Sequence, residues 1–198
     1  MIDIAAARTA LGRADIVLPD PVPPHPLLDG RHEIARGEYS IVLDAPRPDR
    51  VYKLVSSPAD YFLYTADDRP RGPHFLQVFA DHGEAGRAVS GYPFHLLEVE
   101  RLLPLAPGSA AAAQALALID RYWAGCRQWV RLGRDMGRIA LYHLVQGPPV
   151  ASESIHRALA ALSDFIEEYQ VLPDILNADN LMMRADGTLV FSDPVFIG

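Results

Sequence analysis

Asn180 and Asp193 stand 13 residues apart, separated by an apolar strand, a turn at Asp186–Gly187 and a second apolar strand that runs into Asp193–Pro194. A Gly after an Asp is the turn chemistry that joins two short strands tightly. Such a hairpin brings its ends together, so an amide oxygen and a carboxylate can converge there on one divalent cation. The plainer reading of the same residues is a polar hairpin end that caps two strands. A second chemically informative residue is Lys53. It is the only lysine of the chain, every other permanently basic side chain being an arginine, and it sits between Tyr52 and Leu54. On a strand whose neighbours alternate, a compact ammonium can point into a cleft; the alternative is a surface lysine on a half-exposed strand.

The elements that must position these residues follow from hydrophobic periodicity. His32–Val55 alternates and is rich in Ile, Val and Tyr, with a turn at APRPDR. Pro58–Thr65 reads as one or two helical turns, DDRPRGPHF as a loop, and Leu76–Ala80 and Tyr92–Leu102 as strands on either side of the polar DHGEAGRAVSG. About five strands in the first half suit one antiparallel sheet. Past Pro107 the pattern turns helical. Ser109–Leu132 carries Leu116, Leu118, Ile119, Tyr122, Trp123, Cys126, Trp129 and Val130 at helical spacing, and Ile139–Val145 is apolar and helical. Ser152 caps a helix whose stripe is Ile155, Leu159, Leu162, Phe165, Ile166 and Tyr169. Ahead of the sheet, residues 1–30 hold a short helix and then four prolines within residues 21–26, which exclude helix and central strand and leave an arm over the domain or a flexible leader. Strands first and helices second predict an α+β protein, with an arm (1–30), a β-rich lobe (31–105) and an α-helical lobe carrying the hairpin (106–198).

Composition sets outer limits. With 198 residues, a net charge of −7 and a pI near 5.4, the chain has no basic excess to neutralise nucleic-acid phosphates. Arg121, Arg127, Arg131, Arg134 and Arg138 recur along one segment, as on a solvated helix face. The single Cys126 lies in an apolar helical pattern, so a buried structural thiol in a reducing, cytoplasmic setting is expected. No apolar run approaches the ~18 residues that span a bilayer, so no membrane is expected. The seven histidines are scattered without zinc-ligand spacing.

Four stretches in order, RGEYSIVLDAPRPDRVYKL, GYPFHLLEVERLLPL, the Ser152–Gln170 helix and NLMMRADGTLVFSDP, resemble the protein-kinase-like superfamily, in particular the small kinase-like proteins of bacteriophages. The resemblance implies a minimal two-lobed kinase-like fold, β-rich N-lobe and α-helical C-lobe, with ATP and Mg2+ in the cleft. By it, Asn180 and Asp193 are metal ligands, Lys53 and Asp174 are catalytic, and Gly37, Lys53, Glu98 and Glu100 contact the nucleotide. Asp60, in the short helix after Lys53, is the candidate carboxylate partner of that lysine.

Several positions depart from the family pattern. The base should stand five residues before Asn180, where this chain has Ile175; Asp174 is one residue early, and either a one-residue bulge turns it into the cleft or the base is absent, leaving Asn177 and Asp179 as loop residues. Only Gly37 serves the phosphate loop, followed by Glu38. Asp193–Pro194 replaces D-F-G, and four residues follow, too few for an activation segment. The expectation is therefore a degenerate kinase-like protein that acts mainly by binding a partner protein, a host protein where the source is a phage, with weak or no phosphotransfer. The alternatives are an active ATP- and magnesium-dependent serine/threonine-type kinase and an unrelated α+β binding domain.

Overall fold

The computed structural model describes residues 16–88, 91–175 and 178–197; the short helix expected ahead of the proline run and the loop residue Asn177 fall outside them. The chain is α+β, with a five-stranded antiparallel sheet and four α-helices among the described residues. It divides into two compact units, one of residues up to 66 with 77–101, the other of 67–76 with 102–198. No helix among the described residues is long and apolar enough to cross a membrane.

In the first unit, strands β1 (Glu33–Arg36), β2 (Ser40–Asp44), β3 (Arg50–Val55), β4 (Val78–Arg87) and β5 (Pro93–Glu100) lie in the order β1-β2-β3-β5-β4. The period of two sorts their side chains. Ile41, Leu43, Tyr52, Leu54, Phe94 and Leu96 share one buried face, where Leu18 and Leu28 of the proline-rich arm join them. The arm therefore packs on the sheet from residue 18 to 28. It lies close because Gly86, at φ 157°, has no Cβ; one added there would stand 3.0 Å from the Pro23 Cβ. Leu28→Ala is expected to cost about 2–3 kcal/mol, the usual range for a buried leucine, in urea unfolding; a change below half a kcal/mol would show that the arm is not part of this core.

β4 continues through the segment that the sequence suggests is a polar connection. It is an edge strand, so outward residues meet water and need not be apolar. Its ladder with β5 shifts register three times, between Val78/Ala80, Asp81/Glu84 and Glu84/Gly86, which is why no clean alternation shows.

Helix α1 (Pro58–Thr65) covers the other face of the sheet. Ser57 caps it by accepting the Asp60 N–H at 3.4 Å, and Pro58 takes the first turn, where its missing N–H costs nothing. Tyr61 stacks on His95 of β5, ring centroids 3.7 Å apart, and donates its hydroxyl to Asp81 at 2.7 Å. Burial, and then the Asp81 bond, push Tyr61 up to about 12. Burial also holds the His95 imidazole below its ordinary 6.5, against the opposing pull of Asp81 and Glu84 and with the help of Arg87. Above pH 6.5 the ring is neutral in both states. Below it the unfolded chain takes a proton that the folded ring resists, so stability falls as pH drops. His95→Gln should flatten the melting temperature between pH 6.5 and 5; an unchanged slope would assign the acid sensitivity elsewhere.

The second unit holds α2 (Ala110–Gln128), a 3-10 turn (Val130–Asp135), α3 (Met136–Gln146), α4 (Glu153–Tyr169) and the short strands β6 (Leu172–Pro173), β7 (Leu181–Met183), β8 (Leu189–Phe191) and β9 (Val195–Phe196). Ser109 and Ser152 cap α2 and α4, accepting the N–H groups of Ala112 and Ile155 at 3.1 and 3.2 Å. The α4 stripe is buried as expected except for Tyr169, which is half-buried. The α2 stripe differs. Its buried side is Ala111, Ala115, Leu118, Tyr122 and Cys126, while Leu116, Trp123 and Val130 are exposed. Small residues face inward because α2 and α3 approach closely; a Cβ on Gly125 would stand 3.0 Å from that of Ala140. Cys126 is a buried free thiol, raised by that burial.

Candidate functional site

The hairpin around Asp186–Gly187 forms as the spacing predicts. β7 and β8 pair Leu181 with Phe191, Met182 with Val190 and Met183 with Leu189. At the turn, Gly187 adopts φ 86°, which glycine reaches without strain. The Gly187 N–H donates to the Arg184 carbonyl at 3.0 Å, and the Thr188 N–H donates to Asp186 Oδ1 at 2.9 Å. Thr188 thereby holds the exposed Asp186 carboxyl below its usual range. At the open end the Ser192 N–H donates to the Asn180 carbonyl at 2.9 Å, which brings Asn180 beside the residue that precedes Asp193.

Asp174 is tied into the same place. β6 and β9 pair Leu172 with Phe196 and Pro173 with Val195, and the Asp174 N–H donates to the Pro194 carbonyl at 2.7 Å. The Asn180 side-chain amide donates from Nδ2 to the Asp174 carbonyl at 2.9 Å. Both peptide groups of Asp174 are thus held by the two segments that carry Asn180 and Asp193. Ile175, at the place where the family pattern puts the base, is fully buried. Asp174 is half-buried.

The side chains that could contribute to a cation site here are those of Asn180 and Asp193. With Nδ2 engaged on Asp174, the Asn180 side chain has its carbonyl oxygen to offer, and the candidate carboxylate, Asp193, follows Ser192, whose N–H holds the Asn180 main-chain carbonyl. Magnesium is commonly held by one or two protein oxygens and completed by phosphate and water. Among the described residues no group of three or more His, Cys, Asp or Glu could hold a metal. A cation at this hairpin would accordingly depend on phosphate oxygens for part of its shell.

The remaining candidates belong to the first unit. Lys53 is 4% exposed, so it is not a surface lysine. It pairs with Val42 and Leu97, and its Nζ donates to the Tyr64 hydroxyl at 3.0 Å and lies 5.0 Å from that ring's centroid. Tyr64 is one turn beyond Asp60, so the two share a face of α1, and both are buried. Lys53→Ala is expected to lower stability by about 2–4 kcal/mol, because the buried stem and the Tyr64 bond go together, whereas Lys53→Met keeps the volume and should cost less. Equal losses in thermal unfolding would count against that packing role.

Gly37 follows β1, and its N–H already donates to the Ser40 carbonyl at 2.8 Å. A Cβ there would meet nothing nearer than 3.7 Å, so the position does not demand glycine. Glu98 and Glu100 leave β5 on the face opposite to Lys53, as the pairs Tyr52–Glu98, Lys53–Leu97 and Arg50–Glu100 require. Arg50 donates to Glu98 Oε1 at 2.8 Å, and Glu100 Oε1 accepts the Gln77 N–H at 2.8 Å. The side chains of Glu98 and Glu100 are therefore occupied within the sheet.

Two groups escaped the sequence reading. Tyr64 was legible as Asp60 plus four on a helix. The other is the segment 67–76, read as a first-lobe loop. It belongs to the second unit, where His74 Nδ1 lies 2.7 Å from the Leu189 carbonyl and the Phe191 N–H donates to the His74 carbonyl at 2.9 Å. Arg184 clamps it, donating to the carbonyls of Pro73 and Phe75. These bonds stiffen β8 from the side away from β7. Comparison with known protein families and with curated proteins finds no match to this chain.

Proposed function

We propose that the chain is a kinase-like protein that holds magnesium and nucleotide phosphate at the Asn180–Asp193 hairpin, transfers phosphate weakly or not at all, and acts mainly by binding a partner protein. The observation that carries this reading is the paired anchoring of Asp174, by Asn180 Nδ2 at its carbonyl and by the Pro194 carbonyl at its N–H. It fixes the Asn180 side chain beside the segment that carries Asp193, and this supports the reading that an amide oxygen and a carboxylate serve one metal–phosphate site. Magnesium supplies charge neutralisation of the phosphates; Asn180 and Asp193 orient it, and the Asp174 peptide keeps Asn180 in place.

Weak transfer is supported by the departures already described. A buried Ile175 replaces the family's base, and loss of a general base costs roughly 10²–10⁴-fold. The only phosphate-loop glycine has its N–H committed to Ser40. Asp174 favours the second reading, an active serine/threonine-type kinase, since it is half-buried and fixed beside Asn180. Radiolabelled ATP with generic acceptors and cell lysate separates the two. Robust transfer that disappears in Asp174→Ala establishes the kinase; magnesium-dependent nucleotide binding without transfer supports the binding protein. Absence of any magnesium-dependent nucleotide binding defeats both.

A further inference from the structure

We infer that two copies of this chain associate through α2, the helices antiparallel and Trp123 at the two-fold axis. The observation is a stripe that packing within the chain does not use. Leu116, Trp123 and Val130 are 62%, 44% and 61% exposed, large apolar side chains at successive seven-residue intervals. Seven residues are nearly two turns, so such positions fall on one slowly drifting line along a helix. Val130 follows in the 3-10 turn beyond the end of α2: Trp129 departs from helical angles (φ −105°, ψ 14°), but its N–H still reaches back to Gly125 and Cys126. Half-buried Ile119 fills the space between Leu116 and Trp123.

The stripe reads the same in both directions. Leu116 and Val130 are equally far from Trp123, so an antiparallel second copy sets Trp123 against Trp123 and Leu116 against Val130, as a self-complementary two-fold contact demands. The charges obey the same symmetry. Asp120 and Arg127 are exposed on the solvent side of this stripe, and neither joins an ion pair among the described residues. In the antiparallel register Asp120 of each copy faces Arg127 of the other, giving two pairs across the axis. An acidic partner helix or an anionic membrane would use Arg127 and be repelled by Asp120; a second copy uses both.

One helix per copy makes a small interface, so association in the micromolar range is expected. Sedimentation velocity of the full chain from about 1 to about 200 µM tests it across that range. The expected result is a monomer–dimer equilibrium weakened at least ~10-fold by Trp123→Glu, an exposed position where folding, checked by circular dichroism, survives. Asp120→Arg and Arg127→Asp should each weaken the dimer, and the double variant should restore it. A monomer at every concentration overturns the inference, whether or not it binds anionic vesicles. So does a dimer indifferent to Trp123→Glu, or a double variant no better than the single ones.

Discussion

Asp193→Asn is expected to erase the magnesium-dependent part of nucleotide stabilisation while shifting the unliganded melting temperature by little. A ligand at 100 times its dissociation constant stabilises by about 2.7 kcal/mol. For a domain of this size that corresponds to roughly 5–11 °C. ATP with magnesium should raise the wild-type melting temperature by this order, and EDTA should remove most of the gain. In the variant the carboxylate that the proposal assigns to the cation becomes a weaker amide ligand, so ATP should act alike with and without magnesium. Asn180→Ala should match it and also loosen Asp174, whose carbonyl loses the Nδ2 donor. A wild-type shift that ignores EDTA, or one retained in full by Asp193→Asn, would detach the metal from this hairpin.

Leu162→Ala should have the largest effect on stability itself. Leu162 lies mid-way along the buried stripe of α4 and is fully buried. Truncating a buried leucine removes its transfer free energy and leaves a cavity, typically about 2–5 kcal/mol in all. In a chain of this length that lowers the melting temperature by roughly 4–20 °C. Arg157→Ala, on the exposed side of the same helix, should change little. If the two variants melt together within a degree or two, α4 does not bury the face assigned to it.

Local chemistry made some of this legible in the sequence. Pro58–Thr65 was legible as α1, and Ser152 with a regular apolar stripe placed α4, because caps and periodicity are encoded within a few residues. The hairpin was legible for the same reason: Asp186–Gly187 names its own turn. What could not be read depended on partners distant in sequence. β4 looked like a connection because an edge strand with three register shifts carries no alternation. The α2 stripe misled because Leu116 and Trp123 are the more hydrophobic choices, while the close approach to α3 at Gly125 and Ala140 selects alanines for the inside. At the candidate site, Asp186–Gly187 placed the hairpin between Asn180 and Asp193, but nothing local announced that Asn180 would grip the Asp174 carbonyl, or that Glu98 would be taken up by Arg50.

The segment 67–76 has a consequence for how the chain comes into being. His74 meets Leu189 across 115 residues of sequence. At about 5–20 residues per second, a ribosome makes the first of these partners roughly 6–23 seconds before the second. Until β8 emerges, the nascent chain has completed the sheet of the first unit but carries residues 67–76 as an unsatisfied loop between α1 and β4. Expression of 1–101 and 102–198 as separate pieces would make that situation permanent, leaving the second piece without the strip that Arg184 and Leu189 hold. Domain boundaries drawn as one cut therefore fail for this protein, and the two pieces should recover the native fold only when produced together.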